Sequence, residues 1–67
     1  MTKLQKYLNR KKLRQADFAV TLGVVRGWPI DPSQVSRWCS GERVPCMATR
    51  VHIEQATGGK VSRRAWS

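Results

Sequence analysis

Gln15-Ala-Asp-Phe-Ala-Val-Thr-Leu-Gly-Val-Val-Arg-Gly-Trp-Pro-Ile-Asp-Pro-Ser-Gln-Val-Ser-Arg-Trp-Cys-Ser-Gly41 is the stretch that decides the fold. Phe18, Ala19 and Leu22 stand at i, i+1 and i+4, the apolar stripe of a helix that spans about 14–22. Gly23 follows at once and suits the left-handed position that ends a helix. A new helix opens at Asp31-Pro32. The Asp side chain can accept an orphan N–H of the first turn, and a proline at the first helical position gives up no useful donor. This helix covers 32–40 and stops at Gly41, with Val35, Trp38 and Cys39 on one side. Ser33, Ser36, Arg37 and Ser40 occupy the other side. Between the two helices, 24–31 reads as an extended turn, because Gly27 and Pro29 break helices. It is apolar for a loop, so Trp28 and Ile30 are expected to fold back over the core, with a dimer or DNA contact as the alternative for Trp28.

Working outward, Leu4, Tyr7 and Leu8 mark an amphipathic helix over about 2–12, and Lys3, Lys6, Arg10 and Lys11 cover its other faces. Past Gly41, Pro45 pushes Val44 towards an extended backbone, so 42–46 is a connector. A fourth helix is expected over 47–56, with Val51 and Ile53 as its main apolar residues, and Thr57-Gly58-Gly59 ends it. The arm 58–67 suits a short β-strand or a mobile segment equally well. The fold class is therefore all-α, four helices in a single domain, with a short C-terminal strand as an option.

Composition narrows the function. Thirteen Lys and Arg against four Asp and Glu give a net charge of +9 in 67 residues. A surface this basic attracts phosphate backbones or anionic membranes. The chain is too short to enclose a substrate cleft between domains, and no acid–base pair or nucleophile with its base stands out. An enzyme, a cofactor and a small-molecule substrate are not expected. Cys39, Cys46 and His52 offer three candidate ligands without tight spacing, where structural zinc takes four, so no metal is expected. The opening residues show no unbroken apolar stretch of the signal-peptide kind, and no run approaches the roughly 20 apolar residues of a membrane span. The expectation is a reduced, cytoplasmic protein.

Two helices joined by a turn meet the needs of a helix-turn-helix unit, which lays its second helix in the major groove of DNA. A small residue must sit where the helices cross, and Ala19 can. Apolar residues must anchor the second helix from beneath, and Val35 and Trp38 do. The outward face must be small, polar or basic to reach base edges, which Ser33, Gln34, Ser36 and Arg37 satisfy. Arg37 is the candidate for a bidentate pair with guanine, and Gln34 for adenine. Arg26 lies within reach of a phosphate.

The segments Gln15–Val24 and Pro32–Gly41, with the ending Ile53-Glu-Gln-Ala-Thr-Gly-Gly-Lys-Val61, resemble the phage Cro/CI family of helix-turn-helix regulators, over roughly residues 2–62. The resemblance implies a lambda-repressor-like domain that represses transcription by occupying a double-stranded DNA operator in the bacterial cell. It implies that Gln15 grips a backbone phosphate and that Ser33 and Arg37 face bases, with Gln34 beside them. Ser36 and Ser40 would touch bases or phosphates, and Arg43 a phosphate; Arg14 is grouped with the phosphate contacts. A homodimer on half-sites about one helical turn apart is the family habit, and Ile53, Val61 and Trp66 are the candidates for its interface. The chain departs from the family in one place: the family turn is short, and Val25–Ile30 reads as an insertion. Two other DNA-binding readings, an excisionase-like or an antitoxin-like accessory protein, use the same surface. A membrane-active basic peptide is the remote alternative, opposed by the Asp31-Pro32 cap and the helix-breaking loops.

Overall fold

The computed structural model describes residues 2–66. Met1 and Ser67, the two ends of the expected single domain, lie outside the described residues. Four α-helices are present among them: α1 (Lys3–Lys11), α2 (Gln15–Arg26), α3 (Pro32–Ser40) and α4 (Met47–Ala56). None is long and apolar enough to cross a membrane.

Each helix starts from an extended residue, and two starts are closed by side chains. Thr2 Oγ1 accepts the Gln5 N–H at 3.1 Å and donates to the Cys39 carbonyl at 2.8 Å. One hydroxyl thus caps α1 and satisfies a carbonyl of the last turn of α3, joining the two helix ends. Asp31 accepts the Ser33 N–H at 3.0 Å, with Pro32 in the first turn of α3, as the sequence predicts.

The core draws on every helix. Leu4 and Leu8 come from α1, Phe18, Ala19 and Leu22 from α2, Val35, Trp38 and Cys39 from α3, and Ile53 from α4; Ile30 and Val61 close it from the connecting segments. Tyr7 meets Phe18 edge to face, with centroids 6.4 Å apart. That arrangement sets a ring's positive edge against the negative face of the other.

The largest difference from the sequence reading concerns Gly23. It does not end α2. The helix continues through Val24, Val25 and Arg26 and ends at Gly27, whose φ of 78° is the left-handed conformation that Gly23 was expected to supply. The Gly23 carbonyl accepts both the Gly27 N–H at 2.8 Å and the Trp28 N–H at 3.1 Å. The chain then folds back along α2. A Cβ on Gly23 would stand 3.3 Å from the Trp28 carbonyl oxygen and 3.7 Å from the Ile30 nitrogen. Gly23 is small because the returning loop rests on it. Of the stretch 24–31, expected as a loop, the first three residues belong to α2 and the rest form a short return loop.

The loop's two large apolar residues separate. Ile30 is buried, as expected. Trp28 is not a lid: it is 69% exposed.

The tail corrects two more expectations. Among the described residues there is no C-terminal strand; Arg63–Ala65 forms a single 3-10 turn. Thr57 directs the chain back over the core, since its buried hydroxyl donates to the Ile53 carbonyl at 2.9 Å and accepts the Val61 N–H at 3.1 Å. Val61 is 1% exposed, Ile53 on α4 is 0% exposed, and Trp66 packs against the core. Ile53 and Val61 offer no surface for a second copy, which removes them as interface candidates.

Candidate nucleic-acid interface

Helix α3 is a two-sided element. Val35, Trp38 and Cys39 face the core, while Ser33, Gln34, Ser36, Arg37 and Ser40 are all exposed. The separation follows from periodicity: the apolar residues recur at i, i+3 and i+4, so the intervening polar ones share the outer surface. The four expected base-contacting residues lie on this face.

Beside α3 runs an open groove of about 310 Å³. Gln34, Arg37 and Trp38 form its α3 wall, and Arg43, Val44, Pro45 and Cys46 its connector wall; Arg26 from the end of α2 and Thr49 from α4 complete it. Three arginines line this groove and no acid does. Arg26 reaches it because α2 is longer than the sequence suggested. In the expected loop its position would be undefined; on the last helical turn it is set by the same periodicity that buries Leu22. Arg43 is held near by its backbone, whose N–H donates to the Arg37 carbonyl at 3.3 Å.

The connector is itself fixed. Arg50 Nε donates to the Pro45 carbonyl at 2.8 Å, and Pro45 is buried. Arg50 is thus a brace for the groove wall. A guanidinium one turn into α4 with a free carbonyl just before the helix was the available signal. Cys46, the residue that precedes α4, has an exposed thiol 3.3 Å from Thr49 Oγ1. Its pKa is lowered, chiefly by hydrogen bonding to the Thr49 side chain and then to the Thr49 backbone, with lesser help from the Ala48 N–H and the Arg26 charge. Cys39 is the opposite case: burial raises its pKa.

The remaining expected phosphate contacts are spread differently. Arg14 is exposed at the start of α2, away from the three-arginine groove lining. Gln15 is half-buried, and its amide donates to Gln5 Oε1 at 3.5 Å, which ties α2 to α1. The Ser40 hydroxyl donates to the Arg37 carbonyl at 3.1 Å and accepts the Glu42 N–H at 3.3 Å, so it serves the end of α3. Asp31, at the other end of α3, has its pKa lowered by the Ser33 backbone and side chain and more weakly by Arg37. Among the described residues no three His, Cys, Asp or Glu side chains come together as a metal site would need.

Comparison with protein-family models, with curated proteins and with solved structures finds no match to this chain.

Proposed function

We propose that this chain is a small sequence-specific double-stranded DNA-binding protein of the phage Cro/CI repressor type, with a lambda-repressor-like arrangement of helices. The observation that carries this reading is the juxtaposition of the exposed polar face of α3 with a groove lined by Arg26, Arg37 and Arg43. A helix whose outer face is Ser, Gln, Ser and Arg fits the major groove without steric excess and can hydrogen-bond base edges. Arginines beside it suit phosphate oxygens, which set affinity and orientation but carry no sequence information. The net charge of +9 adds long-range attraction to the duplex.

The roles then divide. Ser33, Gln34, Ser36 and Arg37 read bases. Arg26 and Arg43 hold the backbone on one side of α3, and Arg14 with the amide of Gln15 holds it near the start of α2. The protein binds its operator as a homodimer and represses the promoter there. A cytoplasmic location follows from that role.

Selection of bound sites from random duplex DNA at a stated salt concentration tests the proposal. An enriched palindrome is the expected result. Recovery of sequences no different from the starting pool, with binding that vanishes as salt rises, would reduce the chain to a non-specific polycation.

A further inference from the structure

Helix α1 carries a charged surface that the proposed DNA contacts leave unused. Lys3, Lys6 and Arg10 are all exposed, and their i, i+3, i+7 spacing places them on one stripe of the helix. The stripe is about 10 Å long at 1.5 Å per residue. Lys11, Lys12 and Arg14, also exposed, continue the positive charge past its end. Residues 2–16 hold these six cations and no acid. The acid after Gly41, Glu42, belongs to the far end near Thr2, since a Cβ on Gly41 would lie 3.8 Å from Thr2 Cγ2. The helix itself gains little from this arrangement. Arg10 in the last turn suits the helix dipole, but Lys3 in the first turn opposes it. Like charges three and four residues apart also repel one another.

Two contacts of α1 fix where the stripe points. Leu4 and Leu8 are buried in the core. Gln5 accepts from the Gln15 amide at 3.5 Å, so its side of α1 faces the start of α2, where the proposed phosphate grip lies. At about 100° per residue, Lys6, Arg10 and Lys3 stand roughly 100°, 140° and 160° round the helix from Gln5. Leu4 and Leu8 lie in the other direction from Gln5. The stripe therefore turns away from the core and from the duplex that Gln15 and α3 would hold.

We propose that this stripe holds the phosphate backbone of a second DNA duplex, so that the chain bridges two segments. The inference rests on the DNA-binding reading for the first of them. A polyanion laid along the stripe relieves the repulsion among its three cations. The rest of the α1 surface favours a duplex over other polyanions. No large apolar side chain of α1 is exposed for insertion into a lipid interface. Its one aromatic residue, Tyr7, is half-buried against Phe18 and is not presented for stacking on unpaired bases. Contacts to phosphate carry no sequence information, so the second duplex is of any sequence. Three such contacts weaken about 40-fold between roughly 50 and 200 mM salt.

A two-duplex capture assay with the full chain tests the bridge. The chain is loaded on an immobilised duplex carrying its selected site at about 50 mM salt, where phosphate contacts are strong. Unbound chain is washed away, and a fluorescent duplex of unrelated sequence is added. The wild type should capture the second duplex and release it as salt rises. A triple variant, Lys3→Gln with Lys6→Gln and Arg10→Gln, should load the first duplex with the same base preference and capture about tenfold less of the second. Its far-ultraviolet circular dichroism should be unchanged, because all three side chains are exposed. A wild type that loads the first duplex and captures no second would overturn the bridge and leave the DNA-binding reading intact. Undiminished capture by the triple variant would also overturn it; if that variant had lost binding to phosphatidylserine vesicles, the stripe would be a lipid contact. A chain that loads no duplex at all fails at the DNA-binding reading, and the bridge falls with it.

Discussion

The Trp28 N–H donates to the Gly23 carbonyl at 3.1 Å, while the Trp28 carbonyl lies 3.3 Å from the point that a Cβ on Gly23 would occupy. This reciprocal backbone contact turns what reads as a helix end into the middle of a helix. It carries α2 as far as Arg26 and leaves Trp28 on the surface.

Replacing a mid-helix glycine by alanine ordinarily stabilises a protein by about 1 kcal/mol through helix propensity. At Gly23 the new methyl meets a backbone carbonyl in a loop tied by two hydrogen bonds to Gly23 itself. Gly23→Ala is expected to forfeit that gain, leaving a protein no more stable than wild type in urea unfolding and as much as about 1 kcal/mol less stable. A gain of the full propensity value would show that the loop does not rest on Gly23.

Asp31 gives α3 a titratable cap. Its pKa is lowered in the folded state, first by the Ser33 backbone N–H, so folding binds the ionised carboxylate more strongly than the neutral acid. Its contribution is fully present above the unfolded-state value of 3.8 and is lost as pH falls through the lower folded-state value. Asp31→Asn keeps the capping oxygen without the titration. The melting temperature of the wild type should fall more steeply than that of Asp31→Asn as pH drops below about 4. Parallel curves for the two proteins would mean that the carboxylate does not cap α3.

The two cysteines should differ sharply in reactivity. Cys46 is exposed with a lowered pKa, whereas Cys39 is buried with a raised one, and the thiolate is the reactive species. Limiting iodoacetamide on native protein at neutral pH should alkylate Cys46 first and Cys39 only on unfolding, as peptide mass spectrometry can read. Bound duplex DNA should slow the Cys46 reaction, because that thiol lines the three-arginine groove. Equal rates for the two thiols would contradict the packing of Cys39 beneath α3.

Much of the fold was legible because it depends on local chemistry. The Asp31-Pro32 start of α3, its end at Gly41 and the burial of Val35, Trp38 and Cys39 follow from capping and a 3.6-residue period. What was not legible depends on contacts distant in sequence or on a choice between equals. Gly23 and Gly27 are both suitable helix ends, and only the return of Trp28–Ile30 along α2 decides between them. The burial of Val61 hinges on the Thr57 hydroxyl turning the tail inward, which no periodicity encodes. The polar face of α3 was likewise readable, because every residue on it comes from one helix. The groove beside it was not, since Arg26, Arg37 and Arg43 come from three segments that only tertiary packing brings together.

The central claim is that α3 reads bases and that Arg37 is its main specificity contact. The direct test is the base-preference profile of Arg37→Ala beside that of the wild type, measured over all single substitutions of the selected site at one salt concentration. Loss of preference at one base pair per half-site, worth about 1–3 kcal/mol, is the predicted result, with the other positions unchanged. Equal weakening on every sequence would make Arg37 a phosphate contact, the role proposed for Arg26 and Arg43, and would contradict the account.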